Sequence, residues 1–144
     1  MKNIQFALYF CIFCFFGQLI SAHCQIPCGI YDDRHRIAGL MEDAATIEKA
    51  IDQLWALDDS KGVVAEQQRV RWVMAKENHA EKIIETIAEY FLTQRVKPEA
   101  EDYTERLKAH HAVIILSMKV KQNPSPEIAR LLKAAIEELG AFYP

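Results

Sequence analysis

The sequence predicts an all-α protein folded as an antiparallel four-helix bundle. Apolar residues recur at three- and four-residue steps through four segments, and no segment alternates apolar and polar residues as a half-buried strand would. Short turn-forming stretches such as "DDSKG" and "KQNPSP" separate these segments. The 144 residues suit a single domain. Four amphipathic helices with short connections are typical of such a bundle, here over about residues 34–140.

The first predicted helix follows Asp32 and Asp33, which suit an N-cap. Its apolar stripe has the spacing of one helix face and comprises Ile37, Leu40, Met41, Ala44, Ile47, Ile51, Leu54 and Trp55. The second predicted helix runs from about Val63 into "AEYFLTQR". Its expected inner face comprises Val70, Val73, Ile83, Ile84, Ile87 and Phe91.

Proline and glycine mark the ends of the last two predicted helices. Pro98 fits the first turn of the third helix, because that turn leaves its N–H groups without helical partners. The inner residues of this helix are Tyr103, Leu107, Val113, Ile114 and Leu116. Ser125 can cap the fourth helix, Pro126 can open it and Gly140 is placed to end it. The inner residues of this last helix are Ile128, Leu131, Leu132, Ala135, Ile136 and Leu139.

The first 22 residues have the layout of a secretory signal peptide. Lys2 supplies a positive start, an apolar run follows, and Ala22 offers a small residue at the cut. The main alternative is a membrane anchor, but the apolar run over residues 4–20 is at the short limit of about 17 residues for crossing a bilayer. We therefore expect residues 1–22 to be removed and residues 23–144 to reach the periplasm or the extracellular space.

The overall charge gives no sign of a polyanionic partner. The formal net charge is -3, and no block of like charges occurs. The histidines within the predicted helices also lack the spacing of a ready chelate: His110 and His111 are adjacent and face different directions on a helix. The chemistry must therefore be sought outside the helical stripes, which are more typical of a core than of a cofactor pocket.

A histidine and two cysteines stand directly after the expected cleavage site, in "HCQIPCGIY". Cleavage would give His23 a free α-amine, whose pKa near ~8 lets a metal displace its proton. The amine, the amide nitrogen between His23 and Cys24, and the Cys24 thiolate would form adjacent chelate rings, and the Cys28 thiolate would complete a plane. Two nitrogens and two sulfurs in a plane suit Ni(II) or Cu(II), whereas Zn(II) prefers a tetrahedron. The His23 imidazole stays available above that plane.

The residues between and after the cysteines suit a compact metal hook. Pro27 stiffens the chain, Gly29 permits a backbone turn, and Tyr31 can bring a phenol over the metal. Two alternatives remain open from these residues alone. Cys24 and Cys28 could form a disulfide in an exported helical protein, or the protein could bind or carry a metal without turnover.

Seven residues of this segment resemble the H-C-x-x-P-C-G-x-Y-D hook of the nickel superoxide dismutases: His23, Cys24, Pro27, Cys28, Gly29, Tyr31 and Asp32. The rest of the chain is similar in architecture to that family's four-helix subunit, which assembles as a homohexamer. The resemblance implies one nickel ion per subunit with His23, Cys24 and Cys28 as ligands. It also implies that Pro27, Gly29 and Asp32 shape the hook.

An alignment around "RVRWVMAKENH" extends the resemblance to two further residues. Arg71 matches an arginine near the axial histidine, and Tyr90 matches a second tyrosine near the metal. The family's acidic partner of that histidine has no counterpart among Ile37, Ala38 and Gly39. Many members also use a dedicated propeptide, whereas this leader resembles an export signal.

The implied reaction is the disproportionation of superoxide to oxygen and hydrogen peroxide, with the metal alternating between Ni(II) and Ni(III). The His23 imidazole would bind axially in Ni(III), and Tyr31 would position substrate or ordered water. The implied partners are the superoxide anion and further copies of the chain; the sequence indicates neither nucleic acid nor a stable membrane anchor. Because the substrate is an anion and the chain is acidic, Arg34, Arg36 or Arg71 would supply local positive charge.

Overall fold

A computed structural model describes residues 25–144, which form four helices and no strand. The helices, which we number in chain order, are α1 (Asp33–Ala56), α2 (Val63–Glu85, continued by a π-helical segment, Thr86–Arg95), α3 (Tyr103–Gln122) and α4 (Pro126–Gly140). Helix α1 packs against α2 and α4, and α3 packs against the same two helices. This closed arrangement confirms the predicted four-helix bundle.

Local signals set several helix ends as predicted. The Asp32 side chain accepts a hydrogen bond from the backbone N–H three residues on (3.0 Å) and caps α1. The Ser125 hydroxyl does the same for α4 (3.3 Å), where Pro126 is the first helical residue and Gly140 the last. These ends need no distant contact, because the capping atoms and the donors they satisfy are close in sequence.

The predicted start of the third helix at Pro98 is wrong. Residues 97–102 form turns instead, with hydrogen bonds from the Ala100 N–H to the Lys97 carbonyl and from the Tyr103 N–H to the Ala100 carbonyl, both 3.1 Å. Helix α3 begins only at Tyr103. The extra turn lies between the end of the π-helical segment and the start of α3, so Pro98 belongs to the connection.

The second correction concerns the inner face of α2. Val70 and Val73 were expected to be inside, but their side chains are 59% and 42% exposed. The face that packs on α1 and α3 carries Ala65, Lys76, Ala80 and Ile83. Val63, Val70 and Met74 form a separate exposed stripe, here called the outer stripe, at spacings of seven and four residues. Periodicity placed Val70 and Val73 on the same inner face as Ile83, but the packing of α1 and α3 buries only Ile83 of these three.

The inner face of α2 carries a buried lysine, whose charge is stabilised by hydrogen bonds to the end of α3. Lys76 is 3% exposed, and its ammonium donates to the carbonyls of Val120 (2.8 Å) and Lys121 (2.7 Å) at the end of α3. Those carbonyls have no partner within their own helix, so Lys76 satisfies them and complements the negative end of the helix dipole. Among residues 25–144, no helix is both long enough and apolar enough to span a bilayer.

The π-helical segment at the end of α2 changes which residues share a face. The Val96 N–H donates to the Phe91 carbonyl (2.9 Å), and the side chains of Thr93 and Gln94 also donate to carbonyls five residues earlier (2.7 and 3.1 Å). In a π-helix the hydrogen bonds join residues five apart, so the side chains of such residues lie closer to one face. In an α-helix, residues three and four apart share a face. The buried side chains of the π-helical segment are Ile87, Tyr90, Phe91 and Gln94.

Candidate metal centre

The hook enters α1 as an exposed, bent segment. Gly29 has a φ of +79°, a left-handed conformation that favours glycine, and the Ile26–Pro27 peptide bond is cis. Cys28 is exposed and is disulfide-bonded to no residue within 25–144. His23 and Cys24 lie outside the described residues, so the complete ligand set stays a prediction. Within residues 25–144, no three histidine, cysteine or acidic side chains converge on a common point.

The hook contacts the bundle at the junction of α2 and its π-helical segment. A groove of about 170 Å³ lies there, lined by Ile26, Pro27, Arg36, Glu85, Thr86, Glu89 and Tyr90. Ile26 and Ile30 are nevertheless 84% and 83% exposed. The side chains of Ile26 and Ile30 therefore lie on the bundle surface and are not inserted into its core.

Tyr31 and Tyr90, both predicted to lie near the site, meet edge to face. Their ring centroids are 5.9 Å apart, with an angle of 81° between the rings. The Arg95 guanidinium lies over the Tyr31 ring, 4.4 Å from its centroid, and the Arg36 guanidinium lies 5.1 Å from the centroid of Tyr90. Each cation–π contact at a partly exposed site is worth about 1 kcal/mol. The structure thus brings together one tyrosine from the hook and one from the bundle.

Asp33 joins these residues into one unit. Its carboxylate accepts a hydrogen bond from the Tyr90 hydroxyl (2.7 Å) and forms a two-pronged ion pair with Arg95, with Nε to Oδ1 at 2.9 Å and Nη2 to Oδ2 at 2.7 Å. The side chains of Asp33 and Arg95 are 18% and 29% exposed. We call Tyr31, Asp33, Tyr90 and Arg95 the hook cluster. Its two charges neutralise each other, and both are partly withdrawn from water.

These contacts shift the protonation of Tyr90 and Asp33 in opposite directions. Burial and the hydrogen bond to the Asp33 carboxylate raise the pKa of Tyr90 to about 12. Burial alone would raise the pKa of Asp33, but the hydrogen bonds from Arg95 and Tyr90 outweigh it and hold that pKa below the ordinary value. At neutral pH, Tyr90 therefore stays protonated and donates its hydroxyl hydrogen in a hydrogen bond to Asp33. That hydrogen is consequently not available to a ligand in the hook.

Arg71 lies elsewhere on the subunit. It is exposed on α2, about four helical turns (~22 Å) before the π-helical segment against which the hook packs. One chain therefore does not bring Arg71 together with Tyr31 and Tyr90. Its predicted role near the metal is not tested by this placement within a single chain.

A second polar and aromatic group lies at the same end of the bundle. The Nδ1 of buried His110 lies 2.6 Å from the Arg106 carbonyl, which can only accept, so Nδ1 carries the hydrogen and Nε2 accepts from the Tyr143 hydroxyl (2.9 Å). Arg106 pairs with Asp102 (Nε to Oδ1, 2.8 Å) and lies over the Tyr143 ring, 5.2 Å from its centroid. Burial lowers the pKa of His110 and favours this neutral form. We call Asp102, Arg106, His110 and Tyr143 the latch cluster.

The sequence offered only weak signals for Asp33 and Arg95. An acidic residue in the first turn and a basic residue in the last turn are ordinary complements of the helix dipole. Nothing in their spacing indicates that the two residues are partners, because 62 positions separate them. Their pairing depends on the antiparallel packing of α1 against the end of α2 and on the π-helical register.

A comparison with known protein families identifies one match. The model of a family described as nickel-containing superoxide dismutase matches residues 18–144, which include the hook and the entire bundle. No curated protein and no solved structure gives a significant match to the chain.

Proposed function

This chain belongs to the nickel-containing superoxide dismutases, and from that membership we propose that its hook, His23 to Tyr31, is the site of superoxide disproportionation. Family membership makes the protein a superoxide dismutase, an oxidoreductase that uses nickel. The observation that carries the proposal is the extent of the family match, which runs through the hook and the bundle together. In the overall reaction, two superoxide ions and two protons give one molecule of oxygen and one of hydrogen peroxide.

The donor chemistry of the hook fits nickel. Cys28 presents an exposed thiol, and Gly29 follows it with a left-handed turn that keeps the segment compact. We propose that the α-amine and imidazole of His23 and the thiolates of Cys24 and Cys28 hold the ion. Soft thiolates together with nitrogen donors suit Ni(II) better than oxygen-seeking ions such as Mg²⁺. Nickel, when bound, supplies the one-electron Ni(II)/Ni(III) couple that the reaction needs.

The two tyrosines have different tasks in this proposal. Tyr31 belongs to the hook and is 38% exposed, so its phenol can orient superoxide or an ordered water beside the thiolates. Tyr90 is 4% exposed and donates its hydroxyl hydrogen to Asp33. Tyr90 therefore supports the Tyr31 ring, whereas Tyr31 is the residue that meets the substrate. Arg36, which lies beside Tyr90 at the groove, adds positive charge for an anionic substrate.

The ligand set requires a processed amino terminus. We propose that the leader, residues 1–22, is a signal peptide removed after Ala22, and that the mature protein works outside the cytoplasm, in the periplasm or the extracellular space. The support is the layout of the leader, a positive start and an apolar run ending in a small residue directly before His23.

We also propose that the subunits assemble, as a homohexamer. The outer stripe of Val63, Val70 and Met74 exposes apolar surface that no part of residues 25–144 covers. Arg71 follows Val70 directly and lies too far from its own hook to serve it, so in an assembly it could serve the hook of a neighbour. Val70→Glu should reduce the sedimentation coefficient in analytical ultracentrifugation, whereas Ala112→Glu at an exposed position of α3, away from the outer stripe, should not. An active monomer in the unmodified protein would contradict the assembly.

The decisive experiment adds one alanine before His23. This change converts the primary amine into an amide and shifts the chelate by one residue, while both cysteines remain. We expect the extended protein to keep its helical circular dichroism but to lose superoxide turnover and the Ni(III) signal in electron paramagnetic resonance. An added alanine after Pro144 is the matched control and should leave both unchanged.

The outcomes separate the proposal from its alternatives. Full activity in the extended protein, with its intact mass verified, would show that the free amine of His23 takes no part. A disulfide between Cys24 and Cys28 would instead be found by mass spectrometry in a protein that contains no nickel. Stoichiometric nickel without superoxide turnover would identify a metal carrier.

A further inference from the structure

Tyr31 is a hook residue whose ring packs on the side chains of Tyr90 and Arg95 of the bundle. The neighbouring Ile26 and Ile30 are more than four-fifths exposed, whereas Tyr31 is 38% exposed. The Arg95 guanidinium covers one face of its ring and the Tyr90 ring meets it edge to face. Because Tyr31 is three residues after Cys28, any movement of its ring is passed to the backbone that carries the thiol.

Arg95 is itself held in a fixed orientation. Its Nε and Nη2 atoms donate to the two carboxylate oxygens of Asp33, at 2.9 and 2.7 Å. Such a parallel pair of hydrogen bonds fixes the plane of the guanidinium, which a single ammonium cannot reproduce. Asp33 is in turn the first residue of α1, so the base of this arrangement is anchored in the bundle. Since Asp33 neutralises Arg95, the effect of Arg95 on the hook is mainly geometric.

The π-helical register makes this arrangement possible. Tyr90 and Arg95 both bind Asp33, although they are five residues apart. In an α-helix with 3.6 residues per turn, side chains five apart point about 140° away from each other. The bonds of the π-helical segment run between residues five apart and bring the two side chains to the same side. π-Helical turns are frequent at functional sites, and here the turn has an identifiable geometric consequence.

We propose that Arg95 is a positioning residue for the metal hook: held by Asp33 in the π-helical register, its guanidinium fixes the Tyr31 ring and, through it, the segment that leads from Cys28 into α1. The inference rests on the proposed function in one respect, that Cys28 is a nickel ligand. A displacement of about 1 Å in a catalytic group can reduce the rate by up to a hundredfold. In this proposal Arg95 affects the rate by setting the position of the hook, and it contacts neither the substrate nor the metal.

The first test measures the hook in the absence of metal. Nuclear magnetic resonance relaxation measures conformational exchange in residues 25–32 of the metal-free protein. Arg95→Met should increase exchange in this segment, because the Tyr31 ring loses its support. Arg106→Met is the matched control, since Arg106 also pairs with an aspartate and lies over aromatic rings but belongs to the latch cluster. Equal conformational exchange of residues 25–32 in the Arg95→Met variant and the unmodified protein would overturn the proposal.

The second test uses the nickel-loaded protein. We expect Arg95→Met to bind nickel stoichiometrically, to broaden the Ni(III) resonance lines and to lower kcat about tenfold, with a smaller change in KM. Arg95→Lys should remain impaired, because it keeps the charge without the two parallel hydrogen bonds. Full recovery of kcat and line shape in Arg95→Lys would show that charge alone matters and would overturn the positioning role.

A double-mutant cycle tests whether Arg95 acts through Tyr31. In a Tyr31→Leu background, Arg95→Met should change neither the exchange of the hook nor kcat any further. Additive losses would show that Arg95 acts independently of Tyr31 and would contradict the proposal. If Arg95→Met fails to fold because Asp33 is left unpaired, the Asp33→Asn, Arg95→Met variant removes both charges and takes its place.

The two sets of measurements separate this inference from the proposed function. If the unmodified protein contained no nickel, the proposed function would fail, yet the exchange experiment would still decide whether Arg95 holds the hook. If the unmodified protein is active and Arg95→Met matches it in kcat, line shape and exchange, only the positioning role is wrong.

Discussion

The hook cluster and the latch cluster contain similar groups in different surroundings. Each has an arginine paired with an aspartate and lying over a tyrosine ring. In the latch cluster, the tyrosine is Tyr143, which is 6% exposed and hydrogen-bonded to a histidine with no exposed surface. In the hook cluster, the tyrosine is Tyr31, which is 38% exposed and adjoins the predicted ligands. The same combination of residues closes the core in one place and supports an open site in the other.

The two clusters meet at one end of the bundle, one of them largely buried and the other partly exposed. Phe91 packs against Tyr90 of the hook cluster (centroids 4.9 Å apart) and against Tyr143 of the latch cluster (4.7 Å). Phe91, His110 and Tyr143 therefore form a buried layer behind the hook cluster. Substitutions in the two clusters should consequently separate effects on stability from effects on catalysis.

The largest expected effect is a complete loss of activity in Cys28→Ser. This change removes one of the two thiolates proposed as ligands, so nickel content and superoxide turnover should fall to background. The side chain is exposed, so the thermal midpoint of the metal-free protein should stay within about 1 °C, as is usual for surface substitutions. Retained turnover in this variant, measured together with its nickel content, would contradict the ligand assignment.

The next largest effect is expected in the latch cluster, from His110→Ala. The change leaves a cavity and deprives the buried Tyr143 hydroxyl of its acceptor, which should reduce the free energy of unfolding by about 2–4 kcal/mol. Chemical denaturation of the metal-free protein measures this loss. Nickel content per folded subunit should be unchanged, and a selective loss of nickel would show that the two clusters are coupled more tightly than we expect.

Matched substitutions of the two aspartates sharpen the comparison. Asp33→Asn leaves Arg95 partly buried without a counter-charge and should cost about 1–2 kcal/mol. Asp102→Asn should lower the melting temperature less, because the Asp102 side chain is 44% exposed and water replaces it as a partner for Arg106. Only Asp33→Asn should alter the Ni(III) resonance. Equal effects of both changes on the melting temperature would contradict the prediction that the Asp33–Arg95 pair contributes more stability than the Asp102–Arg106 pair.

The smallest effect is expected from Tyr90→Phe, about 1 kcal/mol at neutral pH, through the hydrogen bond lost to Asp33. This substitution should also alter the response to alkali. The pKa of Tyr90 is about 12 in the folded protein against 10.0 ordinarily, so its contribution to stability is present below pH 10 and is lost as the pH rises through about 12. The stability difference between Tyr90→Phe and the unmodified protein should therefore shrink over this range. A constant difference in urea denaturation between pH 9 and 12 would show that neither burial nor Asp33 raises the pKa of Tyr90.

Much of the fold follows from local signals in the sequence. Asp32, Ser125, Pro126 and Gly140 mark helix ends as predicted, because each acts on backbone groups within a few residues of itself. The four apolar stripes predict four helices for a similar reason, since helical periodicity is a property of each segment alone. The hook motif is equally local, and it predicted the family that the comparison with known families then identified.

Only the tertiary structure decided which surfaces and side chains meet. Val70 lies on an apolar stripe that periodicity alone could not distinguish from the buried one, and the choice depends on where α1 and α3 pack. The contact of Asp33 with Tyr90 and Arg95 needs both antiparallel packing and a change from α-helical to π-helical register. A sequence pattern does not specify that change, because apolar periodicity gives no sign of where the hydrogen bonds shift from four to five residues apart. The sequence by itself therefore determined the helices and predicted the chemistry of the hook, whereas tertiary packing decided which residues of the bundle contact Tyr31.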